Sequence, residues 1–250
     1  MVKKVILITG ALTGIGRATA LAFAREENAQ IVVSGRREQE GKQLANEIRA
    51  LGAEAEFIYT DVRNEDDVRN LIDKTVERFG RLDVAVNNAG TEGTPGPIVS
   101  QTEDSYRSTF DTNVLGVVLT VKHELRVMTT QGHGSIINVS STLGHKPLAG
   151  ASIYVASKHA VEGLTLSVAL EAAASGVRVN VVAPGPIQTE MLDRFTGRNE
   201  ENKTALASSV PLKRVGTAEE VARTIVFVGS DNASFITGSV LSVDGGMSST

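Results

Sequence analysis

Short apolar runs that end in small or polar residues, separated by stretches with helical spacing, constrain this chain more than any other feature. Val5-Ile-Leu-Ile-Thr9 is continuous, β-branched at several positions, and stops at glycine. That is how a strand covered on both faces of a parallel sheet reads. Gln30–Ser34, Ala55–Tyr59 and Leu82–Val86 are three further strands. Between the strands, Arg17–Glu26 and Glu38–Leu51 have helical spacing. A third helix opens at Asn64, with Asp67 three residues on, and runs to Phe79 with Val68, Leu71, Ile72, Val76 and Phe79 as its core stripe. Strand and helix in alternation predict an α/β, doubly wound parallel sheet. Sheets of this kind bind ligands at the carboxyl ends of their strands.

The residues at those strand ends are the informative ones. Gly10, Gly14 and Gly16 follow the first strand as Gly-x-x-x-Gly-x-Gly and lead into a helix. Backbone amides at a helix start favour an anion, so the turn reads as a phosphate cradle; the alternative is a tight turn without a ligand. The spacing is neither Gly-x-Gly-x-x-Gly nor a P-loop. The second strand ends in Gly35-Arg36-Arg37, with no acid to grip a ribose and two arginines suited to a 2′-phosphate or, more plainly, to solvent. The third strand closes in Thr60-Asp61-Val62. The fourth ends in Asn87-Asn88-Ala89-Gly90, whose small polar side chains either brace backbone or line a ligand.

Farther on, Thr91–Gln101 reads as a loop and Glu103–Met128 as one long helix. Asn113 inside it marks a kink or a polar task, because Asn is a poor interior helix residue. Gly134–Val139 is a fifth strand and delivers Ser140-Ser141 at its carboxyl end. Ile153–Ala174 reads as a helix, Val177–Val182 as a sixth strand, Ala218–Val228 as a helix and Val240–Val243 as a last strand. His145 is expected in solvent. The polar segment Glu190–Ser209 reads either as a lid or as a surface excursion.

Tyr154 and Lys158, four residues apart on the Ile153–Ala174 helix, share one face. A phenol holds its proton to a pKa of about 10, and a neighbouring ammonium group favours the phenolate and makes the phenol a better acid and base near neutral pH. A serine hydroxyl thirteen residues upstream can donate to an oxygen gaining negative charge. These groups suit proton exchange with a carbonyl or alcohol oxygen, and they cannot move a hydride, so a second component is needed. A Tyr–Lys pair at this spacing also occurs in helices that do no chemistry.

Composition excludes several classes. With no cysteine among 250 residues, disulfide, thiolate and Cys-based zinc chemistry are ruled out. A net charge of −4 gives no nucleic-acid footprint. Neither the short apolar run at the N-terminus (Met1–Gly10) nor any other segment approaches the ~20 residues needed to span a bilayer. No linker, repeat or low-complexity segment divides the chain, so the expectation is a single domain over residues 1–250, in the cytoplasm and without a metal.

Taken together, Thr9-Gly10-Ala-Leu-Thr-Gly14-Ile-Gly16, Asp61-Val62, Asn87-Asn88-Ala89-Gly90, Asn113, Ser141, Tyr154 with Lys158, Pro184-Gly185 and Asp244-Gly245-Gly246 resemble the short-chain dehydrogenase/reductase family over essentially the whole chain. The resemblance implies a single-domain Rossmann-like sheet of seven strands with helices on both faces, a nicotinamide cofactor and a homotetramer. It implies catalytic roles for Asn113, Ser141, Tyr154 and Lys158. Tyr154 would exchange the proton, Lys158 would lower its pKa and bind the nicotinamide ribose, Ser141 would hold the carbonyl, and Asn113 would support a water linking Lys158 to solvent. Gly10, Thr13, Gly14, Ile15 and Gly16 would wrap the pyrophosphate. Asp61 and Val62 would flank the adenine. Asn88, with Ala89 and Gly90, would line the adenosine-side ribose, and Pro184, Gly185, Ile187 and Thr189 would border the nicotinamide. NAD-preferring relatives carry an acid where this chain has Gly35, so Arg36 and Arg37 point to NADP(H) over NAD(H), although many NADP-dependent relatives carry a second basic residue where this chain has Thr13. The expected activity is NADPH-dependent reduction of a small-molecule ketone or aldehyde, reversible as alcohol oxidation. Alternatives are a glucose or polyol dehydrogenase, a 3-oxoacyl-carrier-protein reductase, or a non-catalytic NADP(H) sensor.

Overall fold

The computed structural model describes residues 3–25 and 29–249. Met1, Val2 and the expected end of the first helix at Glu26 lie outside the described residues. Seven parallel strands form one sheet: β1 (Lys4–Thr9), β2 (Ala29–Gly35), β3 (Glu54–Tyr59), β4 (Val84–Asn87), β5 (Gly134–Val139), β6 (Val177–Pro184) and β7 (Val240–Val243). Their order is β3-β2-β1-β4-β5-β6-β7, so the chain reverses direction across the sheet between β1 and β4. The register pairs Thr9 with Asn87 and Asn87 with Asn138, which brings the carboxyl ends of β1, β4 and β5 level at that switch point.

The two-residue period of a strand divides the core. Ile6, Ile8, Ile31, Val33, Val84 and Val86 face one side. There they pack with α1 (Gly14–Phe23), α2 (Glu38–Ala50) and α9 (Ala218–Gly229) through residues such as Phe23, Leu44, Ile48, Val221 and Ile225. Leu7, Val32, Ala85 and Ile136 face the other side, against α3 (Glu65–Phe79), α5 (Gly116–Gln131) and α6 (Ser152–Ala173), through Leu71, Ile72, Val121, Met128, Val161 and Val168. Burying each such aliphatic side chain is worth roughly 1.5–3 kcal/mol. Both faces of the sheet are therefore held, as the continuous apolar runs require. Outside this core, Leu115, Val118, Leu166 and Leu170 stay exposed on the α5 and α6 side. Among the described residues, no helix is long and apolar enough to cross a membrane.

Most element boundaries shift from the sequence expectation by one or two residues, β4 from Leu82–Val86 to Val84–Asn87 among them, and two elements differ in kind or by more. The helix after the glycine turn begins at Gly14 rather than Arg17, with Thr13 extended at its N-cap. The single helix over Glu103–Met128 is instead α4 (Glu103–Phe110), a π-helical turn (Asp111–Leu115) and α5. The π turn inserts a residue where Asn113, 1% exposed, turns its amide inward. Of the two readings of Asn113, the polar task is the one its contacts bear out, since its amide is bonded to Thr91 and Ser157. The polar segment after β6 forms two short helices, α7 (Glu190–Phe195) and α8 (Glu200–Ser209).

Candidate active site

Two connected hollows open along the carboxyl ends of the strands. The first is a groove lined by Gly10, Leu12, Thr13, Gly14, Ile15, Gly35, Arg36, Arg37, Asp61, Val62, Asn88, Ala89 and Gly90. It shares Ile15, Asn88, Gly90, Thr189 and Met191 with the second, a mainly apolar cavity that holds Ser141, Tyr154 and Lys158.

Close backbone approach explains the glycines of the groove. Gly10 has φ +60° and leaves no room for a Cβ, which would come within 2.7 Å of Ala89 Cα. A Cβ on Gly16 would lie 2.3 Å from the Gly10 carbonyl oxygen. The Thr13 side chain makes no capping bond with the first amides of α1, and Thr13, Gly14 and Ile15 line the groove. Asn88 braces backbone: its amide donates to the carbonyls of Gly10 (2.9 Å) and Thr9 (3.3 Å), and the residue also borders both hollows.

At the far end of the groove, a Cβ on Gly35 would press on Leu12 at 2.8 Å, so Leu12 occupies the space an acidic side chain needs. Arg36 and Arg37 are exposed beside it, and Arg37 leans toward Glu40 at 3.5 Å. The Arg63 guanidinium holds the Asp61 carboxyl below its ordinary range against the effect of burial, and Arg36 adds a smaller contribution. Val62 is buried against Val68 and Leu119.

Lys158 is 6% exposed, and its Nζ donates to the Val139 carbonyl at 3.0 Å. It sits 5.7 Å from the centroid of the Tyr154 ring. Burial lowers its ammonium to about 8, with Glu162 acting in the opposite direction. Burial also pushes the Tyr154 phenol up to about 12. A hydrogen bond with Ser141 opposes that rise and the charge of Glu92 adds to it. Against the expectation that Lys158 makes the phenol more acidic, exclusion of water from the ring dominates the shift, and the opposing contribution comes from Ser141.

The two serines separate by partner. Ser140 is buried and bonded to Glu162 at 3.0 Å, whereas Ser141 faces the cavity with its Oγ accepting from the Leu143 amide at 3.2 Å. Asn113 is committed to protein groups. Its Oδ1 accepts from the Thr91 amide (2.8 Å), and its Nδ2 donates to the Thr91 carbonyl (2.9 Å) and to Ser157 Oγ (3.0 Å). Pro184 and Gly185 end β6 under the cavity, and Gly185 packs on Asp244 with no space for a side chain. Ile187 is buried against Gly216, and Thr189 caps α7 by accepting from the Leu192 amide at 3.3 Å.

Several cavity residues escaped the sequence reading. Met191, Leu192 and Phe195 of α7, Leu206 of α8 and Met247 supply much of the apolar wall. Glu92 lies among them, and Arg194 of α7 grips its carboxylate with Nε at 2.5 Å and Nη2 at 3.1 Å, tying α7 to the loop after β4. His145 is exposed as expected, but its Nδ1 contacts both Glu162 oxygens at 3.1 and 3.2 Å. Glu162 follows Lys158 by four residues, so helical spacing could have exposed it. No periodicity marks Glu92.

Residues 10–248 match the family described as enoyl-(acyl carrier protein) reductase. The chain is 40% identical to a short chain dehydrogenase/reductase of Aspergillus oryzae over 250 residues, which cover 98% of this chain and 95% of that one. A crystal structure of levodione reductase superposes with a TM-score of 0.96 at 33% identity, and one of an actinorhodin polyketide ketoreductase variant with NADPH with 0.94 at 31%, each covering 100% of both chains. With a glycine-lined groove running into a serine, tyrosine and lysine cavity, and with matches along its whole length, the chain belongs to the short-chain dehydrogenase/reductase family of oxidoreductases.

Proposed function

We propose that the protein reduces an uncharged, largely apolar ketone to an alcohol with NADPH, and that Tyr154 is the proton donor. The observation that carries this reading is the convergence of the Ser141 hydroxyl, the Tyr154 phenol and the Lys158 ammonium in an apolar cavity continuous with the glycine groove.

The groove's residues fit a dinucleotide. The free amides of α1 and the Cβ-less Gly10 and Gly14 suit a pyrophosphate, Asp61 and Val62 suit an adenine, and Arg36 and Arg37 suit a 2′-phosphate. When bound, such a cofactor supplies the hydride. Ser141 donates a hydrogen bond to the carbonyl oxygen as it gains charge. Tyr154, protonated at neutral pH because burial holds its pKa near 12, gives its proton to that oxygen, since an alkoxide is the stronger base. Lys158 as ammonium stabilises the phenolate left behind. Leu143, Leu148, Phe195, Leu206 and Met247 exclude water.

The apolar wall favours a ketone over a sugar or polyol. A carrier-protein substrate would need a basic surface for its acidic partner, and two exposed cations of α5, Lys122 and Arg126, already pair with Glu65 and Asp73. A sensor would not need the three polar groups together.

The test is Tyr154→Phe with a panel of ketones, followed by NADPH absorbance. We expect kcat to fall by roughly a thousandfold, within the range general acids contribute, while NADPH affinity is kept. Turnover within tenfold of the parent would reject Tyr154 as the donor.

A further inference from the structure

We propose that Glu162 is a positioning residue for this reduction: its carboxylate, one helical turn from Lys158, fixes the turn that carries Ser141 and sets the charge that Lys158 faces. The inference rests on the reading of Lys158 above and extends it to a residue the proton transfer itself does not use.

The geometry is specific. Glu162 lies one helical turn past Lys158 on α6, and its side chain is only 10% exposed. Glutamate is seldom buried unless paired. Its Oε1 accepts from the Ser140 hydroxyl at 3.0 Å, and that hydroxyl also lies 3.4 Å from the backbone carbonyl of Lys158. His145 Nδ1 contacts both carboxylate oxygens from the other end of the Ser141 turn. Between the two, a Cβ on Gly144 would come within 2.1 Å of Oε1. The turn therefore closes around the carboxylate from Ser140 to His145, with Ser141 between its anchors.

Among the described residues, charged groups reach the site from several elements, Lys146 beside His145 and Arg194 on Glu92 included. Lys158 and Tyr154 face the site from α6 and His145 from the turn. Asp244 of the C-terminal segment feels the charge of His145, and Glu92 acts on Tyr154 from the loop after β4. Of these, Glu162 is the group whose charge opposes the loss of the Lys158 proton.

The experiment follows Lys158 directly, by NMR of protein labelled at the lysine ε-carbon and without added cofactor, with the resonance assigned by its loss in Lys158→Ala. The parent midpoint is expected near 8. Glu162→Gln should lower it by about one unit, as loss of one nearby opposite charge does. The alkaline fall in kcat should move to lower pH by the same amount. Ser140→Ala keeps the charge and should leave the midpoint within about 0.3 unit.

An unchanged midpoint in Glu162→Gln, or an equal shift in Ser140→Ala, overturns the proposal. If Glu162→Gln does not fold, Glu162→Asp decides: drawing the carboxylate back by one methylene should loosen the turn and cost kcat about tenfold, and parental kcat overturns the proposal. Lys158→Ala at parental turnover would instead sink the reading of the site itself. An inactive Lys158→Ala with an unmoved Glu162→Gln midpoint removes only the role given to Glu162.

Discussion

The groove and the cavity share a border and work by different physics. The groove is made of backbone: positive-φ glycines, the open amides of α1, and carbonyls braced by Asn88. The cavity is made largely of side chains delivered by several separate stretches of chain, with two ionisable groups that burial displaces in opposite directions, Tyr154 up to about 12 and Lys158 down to about 8. Fixed dipoles do not titrate in the working range. The buried amine of Lys158 does. Cofactor affinity should therefore be nearly flat between about pH 7 and 9, above the range in which a 2′-phosphate titrates, while turnover falls on the alkaline side as Lys158 loses its proton.

The largest expected effect breaks the groove and spares the cavity. Gly16→Ala places a Cβ where Gly10 O and Asn88 Nδ2 already stand, at 2.3 and 2.5 Å. Neither can yield without moving the turn that carries the open amides. We expect the Michaelis constant for NADPH to rise at least a hundredfold, with a loss of at least ~3 kcal/mol in binding, while Lys158 titrates as in the parent. Parental affinity in Gly16→Ala would show that the turn is not the phosphate cradle.

A smaller effect sharpens the cofactor assignment within the groove. Arg36→Ala removes a charge-assisted contact to a 2′-phosphate. It should raise the NADPH Michaelis constant by about tenfold, or ~1.4 kcal/mol, and leave that for NADH unchanged. Steady-state kinetics with both cofactors reads the difference, and equal changes for the two would end the NADPH preference proposed here.

The same contrast explains what the sequence disclosed. Backbone-built features leave local signatures. β5 and β7 begin and end at the residues read from pattern alone, and the Asn64 cap accepts from the amides of Asp66 and Asp67. Groove residues sit at strand ends, where parallel-sheet topology puts them whatever the loops do. Side-chain-built features are scattered. The apolar residues of α7 and α8 point into the cavity from helices of six and ten residues, too short and too polar elsewhere to show a period. Glu92 and Arg194, 102 positions apart, meet only because α7 folds back over the loop after β4. The break at Asp111–Leu115 was legible as one poor helix residue, Asn113, but the π turn itself is fixed by what its amide reaches, Thr91 and Ser157.

The smallest effect on activity comes from the floor the two regions share. Beneath the ends of β4 and β5, Asn87 Nδ2 donates to both Glu124 Oε2 and Asn138 Oδ1 at 3.0 Å, and Asn138 passes the chain to Thr165 at 2.9 Å. Glu124 is fully buried, its Oε1 meets no partner, and burial raises its pKa to about 8 against the Asn87 hydrogen bond. Between the ordinary value of 4.5 and about 8, the folded state keeps a proton that the unfolded chain has released. Stability is therefore present in full below 4.5 and is lost as pH rises through that window. Glu124→Gln keeps an acceptor for Asn87 and cannot ionise. The variant and the parent should melt alike near pH 4.5. At pH 8 the variant should be more stable by on the order of 4 kcal/mol, about 10 °C in melting temperature, with turnover within about twofold because no atom of Glu124 reaches either hollow. A melting difference that stays constant with pH would mean that Glu124 is ionised in the fold. The shared floor would then carry a charge, and the division between a backbone groove that does not titrate and a cavity that does would need redrawing.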